Sequence, residues 1–156
     1  ITLHYRFQTP IKKLPPKLFR LILGDDYPHM IDSWPDTLRI LDLGNNMHIL
    51  PNLPPFVEDL KIRDSKSNPY SPSIDFVYTP INLLYLEIEC CGIEKFYDIL
   101  PPNLRSLRIS KLFINHKDEK FEESIIPISL NELKIGRKVV KSPKNRTFFY
   151  FLLIYR

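Results

Sequence analysis

The chain has 156 residues, 44% hydrophobic and 26% charged, with a net charge of +4, enough for one domain with its own core. Its charges are mixed rather than blocked, so the small basic excess does not call for a nucleic-acid partner. Fifteen prolines, four glycines and no alanine argue against a helical bundle, because alanine is the best helix former and proline the worst.

Along the chain, residues 1–13 read as the end of an incomplete unit, consistent with a fragment or a processed product. Six complete segments follow and superpose without gaps. The first three are Leu14-Pro-Pro-Lys-Leu-Phe-Arg-Leu-Ile-Leu-Gly24, Trp34-Pro-Asp-Thr-Leu-Arg-Ile-Leu-Asp-Leu-Gly44 and Leu53-Pro-Pro-Phe-Val-Glu-Asp-Leu-Lys-Ile-Arg63. The others are Thr79-Pro-Ile-Asn-Leu-Leu-Tyr-Leu-Glu-Ile-Glu89, Leu100-Pro-Pro-Asn-Leu-Arg-Ser-Leu-Arg-Ile-Ser110 and Ile126-Pro-Ile-Ser-Leu-Asn-Glu-Leu-Lys-Ile-Gly136. Successive starts are 20, 19, 26, 21 and 26 residues apart. Nine of the fifteen prolines fall in the second or third place of a unit, where they are expected to fix an extended approach to a strand they cannot join.

The apolar places then carry the fold. Their last two members alternate with variable residues, the period of a half-buried strand. The inward triplets are Leu18/Leu21/Leu23, Leu38/Leu41/Leu43, Val57/Leu60/Ile62, Leu83/Leu86/Ile88, Leu104/Leu107/Ile109 and Leu130/Leu133/Ile135. No unit can bury its own face, so the units must stack over one shared core. Pattern and period are those of leucine-rich repeats, which run roughly 20–29 residues. The expected fold is a solenoid arc covering 1–156 as one domain. One parallel sheet would line its concave face, with extended, turn or 3-10 structure and little α-helix on the convex side.

The first units carry a narrower resemblance. Phe7-Gln-Thr-Pro-Ile11 aligns with Tyr27-Pro-His-Met-Ile31 at a 20-residue offset. Phe-Asn-x-Pro-Ile between Leu-Pro-x-x-Leu segments resembles the FNIP repeat, a leucine-rich-repeat relative common in social amoebae and large DNA viruses. Met47-His48 departs from it, and beyond Arg63 only the Leu-Pro-x-x-Leu half persists, a half that also resembles repeats of bacterial secreted effectors. The resemblance implies protein binding, including the substrate-recognising part of a ubiquitin-ligase adaptor.

Two insertions, 64–78 and 111–125, read as loops, the second with a short charged helix. Residues 137–156 are expected to close the open end of the solenoid, with the apolar run 147–155 as a capping strand. That run is too short to span a bilayer.

Chemistry-bearing patterns are missing: no Gly-rich phosphate loop, no Gly-x-Ser-x-Gly, no His-Glu-x-x-His. His4, His29, His48 and His116 are scattered and read as surface residues. Cys90-Cys91, placed just past a strand, reads as buried and inert. Two adjacent cysteines offer no disulfide framework, which points to a reducing, intracellular setting: the cytoplasm of a cell or host, or a viral particle. Asn145-Arg-Thr147 matches a glycosylation acceptor, a pattern that setting argues against. No catalytic residue, cofactor or metal is expected.

The concave face is what remains. Its first column is Arg20, Ile40, Asp59, Tyr85, Ser106 and Glu132; its second is Ile22, Asp42, Lys61, Glu87, Arg108 and Lys134. From Asp42 to Arg108 the second column alternates in sign at about 4.8 Å spacing, a self-neutralising ladder. Arg63 and Glu89 repeat the arrangement one column over. The places left unpaired are Arg20, Ile22, Ile40, Tyr85, Arg108 and Lys134, and these are the expected partner contacts, since Ile, Tyr and Arg are anchor types. The expected function is a non-enzymatic protein-interaction module, with a structural component of a larger assembly as the alternative.

Overall fold

The computed structural model describes residues 1–4, 6–63, 80–92, 100–113 and 127–141. All six complete units start alike. The carbonyl of the second residue, a proline each time, accepts a hydrogen bond from the amide of the fifth: Leu18 to Pro15, Leu38 to Pro35, Val57 to Pro54, Leu83 to Pro80, Leu104 to Pro101 and Leu130 to Pro127, at 3.0–3.4 Å. This closes a β-turn, and Pro16, Pro55 and Pro102 take its second place, where a fixed φ near −65° is an advantage. The prolines therefore reverse the chain before each strand instead of extending it, a correction to the expectation from sequence.

Each turn leads into a strand: β1 (Arg20–Ile22), β2 (Ile40–Asp42), β3 (Asp59–Ile62), β4 (Tyr85–Gly92), β5 (Ser106–Phe113) and β6 (Glu132–Ile135). They lie side by side in chain order, all parallel. The gapless sequence superposition is also the ladder register: Leu21, Leu41, Leu60, Leu86, Leu107 and Leu133 are successive partners. A slip by one residue would turn every leucine to solvent, so burial holds this register. At each junction from β1 to β4 and onward to β6, two consecutive amides share one carbonyl of the preceding unit. Arg39 and Ile40 both donate to Phe19, and Asn131 and Glu132 both donate to Arg105.

Beneath the sheet the triplets form one core. Seventeen of their eighteen side chains are buried, and Ile135, on β6, packs against them half-buried. Each buried aliphatic side chain stabilises by about 1.5–3 kcal/mol. The opposite wall is supplied by Tyr27, Ile31, Ile49 and Leu50. The last two sit on a 3-10 helix (Met47–Asn52), and among the described residues there is no α-helix. Phe7 and Tyr27, equivalent places of successive units, stack with ring centroids 6.1 Å apart, and the Tyr27 hydroxyl accepts the Ile11 amide at 2.9 Å. The incomplete first unit also extends the ladder: the Ile22 amide donates to Ile1 and the Leu3 amide to Ile22.

Three features depart from the sequence reading. β4 runs through Cys90 and Cys91, which therefore lie within a strand rather than past it. β5 continues through Phe113, so the insertion expected from 111 begins as strand, and Cys90, Cys91 and Gly92 pair with Lys111, Leu112 and Phe113. The repeat pattern ends at its tenth place and carried no signal for this extension. Last, β7 (Lys138–Lys141) folds back antiparallel on β6, with Ile135 opposite Lys138. The two-residue loop begins with Gly136 at φ 57°, the place where a II′ hairpin turn takes glycine. The insertion 64–78, the rest of 111–125, the Asn145 acceptor and the run 147–155 lie outside the described residues.

Candidate functional site

Side chains alternate across the sheet, so the two variable columns face away from the core. Their twelve positions hold four basic residues (Arg20, Lys61, Arg108, Lys134) and four acidic ones (Asp42, Asp59, Glu87, Glu132). The face is thus neutral although the chain is cationic.

The charges pair, but only partly as the columns suggested. Lys61 Nζ meets Glu87 Oε1 at 2.7 Å across β3 and β4, as expected. Asp42 instead pairs with Arg63 at 3.2 Å, and Arg63 also approaches Asp25 at 3.8 Å. Arg108, expected to be unpaired, binds Glu132 at 3.3 Å. Among the described residues the register neighbours Asp42/Lys61 and Glu87/Arg108 form no ion pair, so the continuous ladder is replaced by one in-register pair, Lys61/Glu87, and two diagonal ones, Asp42/Arg63 and Arg108/Glu132. Exposed pairs of this kind are worth only about 0–1 kcal/mol each.

The six expected contact residues fall into two groups. Arg20 and Ile40 are register neighbours at one end, Arg20 exposed and Ile40 half-buried, with Ile22 half-buried beside them. Tyr85, 46% exposed, and Arg108 stand together further along, with Lys134 next to Arg108 on β6. Tyr85 and Arg108 line a depression of about 680 Å³ together with Asp59, Glu87, Ser106 and Glu132; Leu86, Arg105 and Asn131 complete the wall. Its origin is Ser106, a small and buried residue in the column between Tyr85 and Glu132. The sequence signal for this depression is one serine among large side chains in the first column, a matter of size rather than of anchor type.

Asp59 is the unusual member. Among the described residues its carboxylate has neither a hydrogen bond nor an ion pair. Desolvation, followed by repulsion from Glu87, raises its pKa, against the longer-range attraction of Arg20, Arg108 and Lys61. A raised folded-state pKa means that the ionised form opposes folding above it, and that the penalty disappears as pH falls through it. Asp59→Asn is therefore expected to have a higher urea midpoint than the parent near pH 7, with the gap narrowing in acid. A lower midpoint at neutral pH would contradict the unpaired carboxylate.

A second set of polar residues was missed from sequence and serves the scaffold. In the fourth place of their units, Thr37, Asn82, Asn103 and Ser129 donate to the turn carbonyls of the preceding unit, at Pro16, Pro55, Ile81 and Pro102, at 2.8–3.2 Å. They join turn to turn along one rim. Among the described residues no three His, Cys, Asp or Glu side chains converge as metal ligands, and no helix is long and apolar enough to cross a membrane. His4 and His48 are exposed, and His29 is half-buried, its Nε2 2.8 Å from the Gln8 carbonyl.

Parallel, in-register Leu-x-x-Leu-x-Leu strands over a single shared core, with a 3-10 segment on the far wall, define a leucine-rich-repeat solenoid. No family model matches the chain, and no curated protein matches it. Among solved structures, the chain is similar to CroV588, described as a novel circular leucine-rich-repeat protein structure. The match covers 79% of this chain at 21% sequence identity and a TM-score of 0.49. The chain spans 21% of the length of that structure.

Proposed function

We propose that the chain is a non-enzymatic protein-interaction module whose contact surface is the open face of the sheet. The observation that carries this reading is the exposed ring of Tyr85 at the edge of a preformed depression on that face. Six strands fix the face, so binding costs little ordering entropy. Its balance of four positive and four negative positions suits a protein surface better than a polyanion, which asks for one sign of charge.

The Phe7–Tyr27 stack and the Ile11–Tyr27 hydrogen bond support the FNIP-like reading of the first units, since they join the residues that carry that resemblance. β7 on β6 supports residues 137–156 as the closing segment of a single repeat domain. The adjacent cysteines support an intracellular setting.

The test is the double variant Ile40→Glu with Tyr85→Lys. The new glutamate lies in register between Arg20 and Asp59, and the new lysine lies opposite Asp59 and offsets that like-charge contact, so the fold and its melting transition are expected to persist. Partner capture should fall at least about tenfold, the usual loss for an interface anchor of about 1.4 kcal/mol or more. Unchanged capture by a folded double variant would remove the open face from consideration.

A further inference from the structure

We infer that the depression between β3 and β5 is a specificity pocket for an arginine side chain of an extended polypeptide partner, with Tyr85 as its platform and Asp59 as its acceptor. The inference rests on the open face being the contact surface and names what that face selects.

The charges within the depression are not evenly spread. Asp59 is on β3, Tyr85 and Glu87 on β4, and Arg108 on β5, with Arg105 just before it. Glu87 is the register neighbour of Arg108, and Glu132 stands beyond it on β6. It is therefore Asp59 that lies about two strand spacings, near 10 Å, from Arg108, with Tyr85 on the strand between them. Glu87 and Arg108 are already engaged, by Lys61 and Glu132. The acceptor left over is Asp59, with no partner among the described residues. Its raised pKa, from desolvation and Glu87, agrees with an incompletely compensated negative charge.

A group that fills this place must be cationic, planar enough to lie on a tyrosine ring and able to present paired donors to a carboxylate. Guanidinium meets all three conditions, since it stacks on aromatic faces and binds carboxylates through two parallel N–H bonds, whereas ammonium offers a point charge. Ser106, small and buried, leaves a depression of about 680 Å³ for the side chain, and the repulsion of Arg105 and Arg108 directs its head toward β3. The occupant is a polypeptide because Asp59 continues in register to Ile40 and Arg20 on the same open face, a strip of side chains of the kind that receives alternate residues of an extended peptide.

The experiment selects random linear peptides displayed on phage against the folded chain. The best binder is then measured by fluorescence anisotropy alongside its arginine-to-citrulline counterpart, an isostere without the charge. Selected peptides are expected to share one arginine. Its citrulline form should bind the parent protein about ten- to a hundredfold more weakly, the range for a charged hydrogen bond, and Asp59→Asn should bind both forms about equally. Binders lost with Ile40→Glu/Tyr85→Lys but lacking a common arginine, or a citrulline effect that survives Asp59→Asn, would overturn the pocket while leaving the open face standing. Binders indifferent to the double variant, or no binders at all, would overturn both.

Discussion

Leu41→Asp is expected to abolish the cooperative fold, leaving no urea transition and a far-ultraviolet circular dichroism spectrum without strand signal. Leu41 is fully buried in β2, with Leu21 and Leu60 as register neighbours that are equally buried. The substitution removes apolar contacts and places a carboxylate where no described residue offers a partner. Loss of the leucine alone costs about 2–5 kcal/mol, and desolvation of an unpaired polar or charged group adds several more. Together these match or exceed the whole stability of an ordinary domain, about 5–15 kcal/mol. The core is also shared: no unit closes over its own leucines, so damage in β2 removes support from both neighbours. The control lies one residue earlier. Ile40→Glu puts a charge on the open face, in register between Arg20 and Asp59, where attraction and repulsion oppose each other, and is expected to shift stability by no more than about 0.5–1 kcal/mol. Should Leu41→Asp melt like Ile40→Glu, the assigned faces of β2 would be reversed.

That contrast explains how much of this protein was legible in its sequence. The register and the core were legible because one physical demand fixes both: leucines at the fifth, eighth and tenth places must share an interior. What resisted reading lacked such a demand. Proline at the second place forbids ladder bonding whether the chain extends or turns, and only its carbonyl accepting from the fifth-place amide decides for the turn. The ion pairs resisted for a related reason. Asp42 is short, only 17% exposed in its side chain, and already accepts the Gly44 amide at 2.9 Å. The long reach of Arg63 supplies its partner, although Lys61 is its register neighbour. Arg108 turns to Glu132 while Glu87 is held by Lys61. Register names neighbours; side-chain length and prior engagements choose among them. Tyr85 could be picked by residue type, but the depression beside it depends on Ser106 being small and on Asp59 being left over. Those facts belong to a neighbourhood of four strands and to no single column.

The larger prediction from a residue outside the expected site concerns Asn46. Its place follows Leu38, Leu41 and Leu43 at the spacing where leucine-rich repeats carry asparagine. It is 2% exposed, and its side-chain amide donates to the carbonyls of Gly24 and Leu43, both at 2.7 Å. The first bond ties this unit to the one before it. The second holds the bend that Gly44, at φ 59°, makes after β2; a Cβ there would lie 2.6 Å from Asp25 Oδ1. Asn46→Ala takes the side-chain donor from the Gly24 carbonyl and one of two donors from the Leu43 carbonyl, which keeps the backbone amide of residue 46 at 3.2 Å, a loss of about 1–3 kcal/mol in a nearly dry place. Asn46→Asp keeps the shape but turns both donors into acceptors, and a carboxylate aimed at two carbonyls is worse than an empty space. Near pH 7 the aspartate variant is therefore expected to be the less stable of the two. Its carboxyl must bind a proton more tightly in the folded chain than in the unfolded one, so its deficit should shrink as pH falls through that raised pKa. In mild acid the protonated carboxyl can donate one of the two bonds, and the order of the variants should reverse. Urea midpoints of the three proteins across that range decide the matter. An aspartate variant as stable as the parent near pH 7 would mean that the two 2.7 Å bonds do not hold the bend.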